Sequence, residues 1–182
     1  IYTSYRDELP PTPIDPPGPT PTDDPVYADV SADAEAYVDA NVSLNVVKKD
    51  NVTGQGLAGA VFNFFKDGGF EGSGTTNSNG NVSFSFTTSY YGASSSSKTY
   101  CTNYDSLTDD KKATVSTYTS YDAAYNAAYN EAYTKALNAA NAAKNSTSHN
   151  YSATEVTARN GYYLNPGNTT VGQSAAGDAS LN

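Results

Sequence analysis

The sequence predicts a mainly β protein, a β-sandwich carrying one helical insertion and a proline-rich extended N-terminal arm. Three observations carry this expectation. Val38, Ala40, Val42, Leu44 and Val46 alternate with polar residues, and period two is the signature of a strand with one face buried. Residues 60–65, AVFNFF, and 81–87, NVSFSFT, repeat the pattern with Ala60, Phe62 and Phe64, then Val82, Phe84 and Phe86, on single faces. Residues 119–145, TSYDAAYNAAYNEAYTKALNAANAAKN, are rich in alanine and free of Gly and Pro, which is a helix composition.

Residues 1–25 form the expected arm. Eight prolines fall between Pro10 and Pro25, a density that favours an extended polyproline conformation and excludes the centre of a sheet. Residues 1–9, IYTSYRDEL, read as disorder or as an extended peptide that docks elsewhere. Residues 26–182 are expected to hold the sandwich, with its insertion at about 105–146. The first strand is expected at about 37–49, followed by a turn through VTGQGLAGA. GFEGSGTTNSNG, 69–80, has the chemistry of turns, and SSSSK at 94–98 reads as a flexible bridge. The helix is capped by Ser120 and Asp122, or begins earlier near Thr108. Two short strands, YSATEVT at 151–157 and GYYLN at 161–165, close the pattern.

The balance of charges narrows the function. A net charge of −9 and a pI near 4.3 leave no basic patch for nucleic acid or anionic lipid, and no apolar run is long enough for a spanning helix. The N-terminus shows no charged-then-apolar leader and reads as that of a mature or trimmed chain. Cys101 is the single cysteine, so no internal disulfide is expected. His149 is the single histidine and lies in a Ser/Asn-rich stretch, where a solvated loop is expected. No metal-ligand cluster, nucleophile motif or phosphate loop is evident. The sequence therefore predicts no enzyme, no metal and no cofactor.

Two features point to chemistry or contact. Tyr121, Tyr125, Tyr129 and Tyr133 recur every fourth residue beside a second stripe, Ala124, Ala128, Ala132, Ala136 and Ala140. Either both stripes pack the helix on its own sheet, or the tyrosines form a contact between subunits, since tyrosine offers large area and a polar tip. The other feature is Lys48, the next residue on the face of Val46. A lysine entering a dry interior is costly unless paired or neutralised. Tyr151, Ala153 and Glu155 share one face of a later strand, so a carboxyl group also points inward.

KKDNVTGQGLAGAVFNFF resembles the opening of the Gram-positive surface-protein domains called CnaB or SpaA-like, which have a prealbumin-like sandwich. Lys48, Asp50, Thr53, Gly54, Leu57, Gly59, Ala60 and Phe62 occupy the motif's places. TTNSNGNVSFSF is similar to that family's Thr-x-x-x-Gly turn into a strand, through Thr76 and Gly80. YSATEVTARNGYYL is similar to its closing motif through Tyr151, Glu155, Ala158, Gly161 and Tyr162, with Arg159 in place of the usual proline. The resemblance covers about half of the chain and makes the helical stretch an insertion.

It implies an internal isopeptide bond from Lys48, assisted by Glu155, to an Asn or Asp near the last strand. Asn182, Asn168 and Asp178 are the candidates. A dry interior favours the neutral amine and the neutral acid; the amine would attack the amide and release ammonia. It further implies an extracellular, cell-surface structural subunit, a pilin or fibre protein polymerising with copies of itself through its arm. The alternative is a monomeric adhesin module that binds a host protein or a glycan.

Overall fold

The computed structural model describes residues 23–164 and 169–182, which form a mainly β protein with two sheets. The strands are β1 (Tyr27–Val47), β2 (Val61–Lys66), β3 (Gly69–Thr75), β4 (Asn81–Cys101), β5 (Ser148–Thr157), β6 (Thr170–Ala176) and β7 (Ala179–Leu181). Helices α1 (Asp109–Lys112) and α2 (Tyr121–Ser146) lie between β4 and β5. One sheet has the order β4-β1-β7 and the other β3-β2-β5-β6. Most of the expected arm, residues 1–22, lies outside the described residues.

The sheets face each other over Val42, Leu44, Val46, Phe62, Phe64, Val82, Phe86, Tyr151 and Ala153. These are the inward positions that alternation predicts for β1, β2, β4 and β5. The expected first strand begins ten residues early: β1 starts at Tyr27, and β1 and β4 are each 21 residues long. They pair antiparallel from Tyr27↔Cys101 to Val47↔Asn81 without a bulge. The first half of β1 and the second half of β4 therefore extend past the sandwich as a two-stranded ribbon. Its inward residues, Val30, Ala32, Ala34 and Ala36, are buried, and α2 lies on them.

Several expectations are corrected. SSSSK is no flexible bridge but part of β4, opposite Ala34 to Val30. Ser96 faces inward and its hydroxyl donates to Glu131 Oε1 at 3.2 Å, whereas Ser95 and Ser97 face water. Serine, small and hydrogen-bonded, fits beneath a helix where a larger residue would not. GFEGSGT is strand β3 rather than turn, and its glycines are required by the opposite sheet. A Cβ on Gly72 would lie 2.4 Å from the Phe84 ring, and one on Gly74 2.6 Å from Val82. The turn before it is Asp67-Gly68, both with positive φ (50° and 81°), the backbone that a two-residue hairpin demands.

Residues 161–164 of the expected GYYLN strand are not extended in a sheet, and Asn165 lies outside the described residues. The last strands are instead β6 and β7. The helix does not run on from Thr108. Thr108 caps the short α1, whereas the Ser120 hydroxyl accepts from Ala123 N at 3.2 Å to cap α2. The β-branched stretch between them breaks the helix, as its poor helix propensity favours.

Candidate functional site

Lys48 directly follows β1. Its backbone is held on both sides: Lys48 N donates to the Gly80 carbonyl at 2.7 Å, and its own carbonyl accepts from Leu57 N at 2.9 Å. Gly80 has a φ of 81°, and a Cβ there would lie 2.2 Å from the Lys48 carbonyl. Glycine is therefore the residue that lets the two chains meet. The inward parity of β1 carries the Lys48 side chain toward β5, whose Tyr151, Ala153 and Glu155 are all buried. Lys48 Nζ and Glu155 Oε2 are 2.7 Å apart. The lysine side chain is 26% exposed and the glutamate 2%. The pair thus has one dry end and one wet end.

Among the described residues, Glu155 Oε1 is buried without a hydrogen-bond partner, and no Asn or Asp side chain bonds to either member of the pair. Asn182 is not brought to them. β7 pairs parallel with β1 only over Val42–Leu44, with Leu181 opposite Leu44. The next step places Asn182 abreast of Asn45, three residues before Lys48, about 10 Å along the strand. Its backbone carbonyl accepts from Gln173 Nε2 at 2.5 Å. Asp178 is engaged elsewhere, accepting from Asn41 N at 2.7 Å and Lys144 Nζ at 2.9 Å. Those two donors hold its carboxyl below the usual range. Asn168 lies outside the described residues.

A cleft of about 370 Å³ adjoins the pair, between the loop after β1 and Gly161–Tyr163. Asp50 organises its wall. Its Oδ2 accepts from the Tyr162 hydroxyl at 2.7 Å, and its Oδ1 from Val52 N at 2.7 Å and Thr53 N at 3.2 Å. These donors, the phenol first, hold the carboxyl below its ordinary value. Thr76 closes the next turn: its hydroxyl accepts from Ala60 N at 3.0 Å and donates to the Leu57 carbonyl at 2.6 Å. The positions that carry the sequence resemblance therefore have backbone-fixing roles here.

His149 is not in a solvated loop. It lies on β5, with Nδ1 2.5 Å from Asp67 Oδ2 and Nε2 2.8 Å from the Tyr90 hydroxyl. Both ring nitrogens are occupied, a bridge between the sandwich and the ribbon.

The tyrosine stripe behaves differently from the alanines beside it. Ala124, Ala128, Ala132, Ala136 and Ala140 are fully buried on the ribbon. Tyr121, Tyr125, Tyr129 and Tyr133 remain 40–52% exposed, stacked as Tyr121–Tyr125 and Tyr129–Tyr133 with ring centroids 6.2 and 6.4 Å apart. The alanines form the buried seam between the helix and its own sheet, and Tyr121 adds an edge-to-face contact with Tyr100 of β4, ring centroids 5.7 Å apart.

The position of the stripe follows from helix geometry. Each of Tyr125, Tyr129 and Tyr133 follows a buried alanine by one residue, about 100° around the axis. Glu131 and Lys135 precede buried alanines by one residue and lie on the opposite flank. There Glu131 pairs with Lys98 and Lys135, and Lys135 Nζ donates to Ser96 Oγ at 3.0 Å. Lys98 and Ser96 belong to β4, so Tyr125, Tyr129 and Tyr133 lie on the flank toward β1, whereas Tyr121 packs on Tyr100 of β4.

The hydrogen bonds from Lys98 and Lys135 take the Glu131 carboxyl from an ordinary 4.5 down to about 2. A depressed value means that the clamp is fully present above pH 4.5 and is lost as pH falls through about 2. Acid titration of wild-type helix docking, read by amide exchange along α2, is expected to show this loss. Glu131→Gln is expected to remove that step, and an unchanged step would assign it to other carboxylates.

No family model, curated protein or solved structure matches this chain.

Proposed function

We propose that the protein is a structural subunit of an extracellular filament, a pilin-like protein of a cell surface that polymerises with copies of itself through its N-terminal arm. One observation carries this reading. Two 21-residue strands run past the sandwich as a ribbon, and among the described residues β1 has a second partner only at Val42–Leu44. A long, unbulged edge with no proline is a template for another chain, and a protein built to assemble has use for one.

The prealbumin-like, CnaB-type assignment is supported by Lys48 and Glu155 meeting at 2.7 Å in a two-sheet sandwich with seven strands among the described residues. It is also supported by the backbone-fixing roles of Asp50, Thr76 and Gly80. We read the pair as an ion pair rather than as part of an isopeptide bond, because no amide or second carboxylate accompanies it among the described residues. Nothing in this function requires catalysis on an external substrate, a metal or a cofactor.

The exposed tyrosine row favours a second reading, a monomeric adhesin whose aromatic rings stack on a glycan or pack on a host protein. Electron microscopy of the purified protein separates the two. Long regular filaments are expected; a monodisperse monomer at every concentration would reject the filament and favour the adhesin.

A further inference from the structure

We propose that the open edge of β1, from Tyr27 to Ala40, accepts residues 1–9 of a neighbouring copy as an added strand beneath Tyr125, Tyr129 and Tyr133. This rests on the filament reading and names the seat that such an assembly would use.

The edge is defined by parity. Asn41 N points away from β4, since it donates to Asp178 on the β7 side. Cys101 N likewise points away from β1, toward the Tyr118 carbonyl. The register between these two residues is unbroken. In an antiparallel pair the N–H and C=O of one residue point the same way. The odd-numbered residues Asp29, Ser31, Asp33, Glu35, Tyr37 and Asp39 therefore direct both groups to the open side, where the described residues provide no strand. Above this edge stands the tyrosine flank of α2. An unpaired strand beside an aromatic wall is the geometry of strand addition, in which main-chain bonds supply affinity and the pocket reads alternate side chains.

The occupant follows from the chain outside the described residues. IYTSYRDEL has no proline, and when extended it places Ile1, Thr3 and Tyr5 on one face and Tyr2, Ser4 and Arg6 on the other. The first set suits the tyrosine wall. The second brings Arg6 to the outer face of β1, which carries Asp29, Asp33, Glu35 and Asp39 and no Lys or Arg. The proline-rich spacer reads as a polyproline stretch of roughly 50 Å, comparable with the edge itself at about 45 Å. A spacer of that length is long enough to present residues 1–9 to the edge of a neighbouring copy.

The test uses the full chain, with a fluorescent peptide of residues 1–9 as probe and protein held below its assembly concentration. Asp33→Pro removes one outward N–H from β1. Ser95→Pro does the same on β4, directly opposite Asp33. Proline is tolerated where an edge N–H faces solvent, and thermal melting checks that both variants fold. The peptide is expected to bind wild type and Ser95→Pro within about twofold of each other, and to bind Asp33→Pro and Tyr129→Ala at least roughly tenfold more weakly.

A peptide that does not bind wild type, or binds Asp33→Pro as well as wild type, overturns the proposal. So does a loss confined to Ser95→Pro, which would move the seat to β4. The filament reading is judged separately. Filaments that persist in Asp33→Pro retain that reading and reject this edge, whereas specific peptide binding by a chain that never polymerises retains the edge and rejects the filament.

Discussion

Gly92→Ala is expected to cost about 3 kcal/mol, near the upper end for overpacking a buried position. Gly92 lies opposite Ala36 in the ribbon. A Cβ added there would stand 2.1 Å from the Ala136 carbonyl oxygen and 2.6 Å from Ala140 N. Both are helix backbone atoms and no rotamer change can move them, so α2 must lift or β4 must bend. Either response opens the contact that buries Ala136 and Ala140 completely. For a domain of this size the loss corresponds to a melting temperature lower by about 9 °C. Ala93→Ser, on the exposed outer face next door, is expected to stay within about 0.5 kcal/mol. A Gly92→Ala protein as stable as wild type would show that helix and ribbon are not this close. The same lift would displace the tyrosine row from β1, so this variant is also expected to weaken assembly.

The close approach at Gly92 explains why the sequence left the two helix stripes undecided. Periodicity places Tyr121–Tyr133 and Ala124–Ala140 on adjacent stripes, and either could face inward. The choice is made by backbone separation: a helix this near a strand has room for methyl groups and none for phenol rings. That distance is a tertiary quantity absent from local pattern. The same applies to the first half of β1. Its Val38–Val46 half alternates with large apolar residues and is legible. Ala32-Asp33-Ala34-Glu35-Ala36 alternates too, but alanine is a weak apolar signal and a helix former. Its burial depends on α2, some ninety residues later. Serines in β4 and glycines in β3 misled for a related reason. Ser96 is inward because Glu131 and Lys135 lie above it, and Gly72 is in a strand because Phe84 fills the space of its missing side chain. The pairing of Lys48 with Glu155 was legible because it needs only strand parity. The place of Asn182 was not, since three parallel pairs between β7 and β1 fix it.

Lys48→Met is expected to destabilise the protein by about 3 kcal/mol, the low end for breaking a buried pair, because the lysine keeps 26% of its side chain in water. The effect comes from what remains. Glu155 would keep one oxygen already without a partner among the described residues and lose the donor 2.7 Å from the other. An unpaired carboxylate whose side chain is only 2% exposed carries the desolvation cost of a buried charge. The double variant Lys48→Met/Glu155→Leu removes the carboxylate as well and is expected to recover most of the loss, since apolar pairs often match buried ion pairs in stability. Equilibrium denaturation of the two single variants and the double variant gives the coupling energy, expected at about 2 kcal/mol. Intact mass supplies the independent check. An ion pair leaves the mass of the sequence unchanged, whereas an isopeptide bond to an Asn would remove one ammonia, about 17 Da. A Lys48→Met cost below about 0.5 kcal/mol would mean that solvent already screens Glu155. A mass deficit in wild type that disappears in Lys48→Met would instead mean that the amine is covalently bound, and that an amide outside the described residues is its partner.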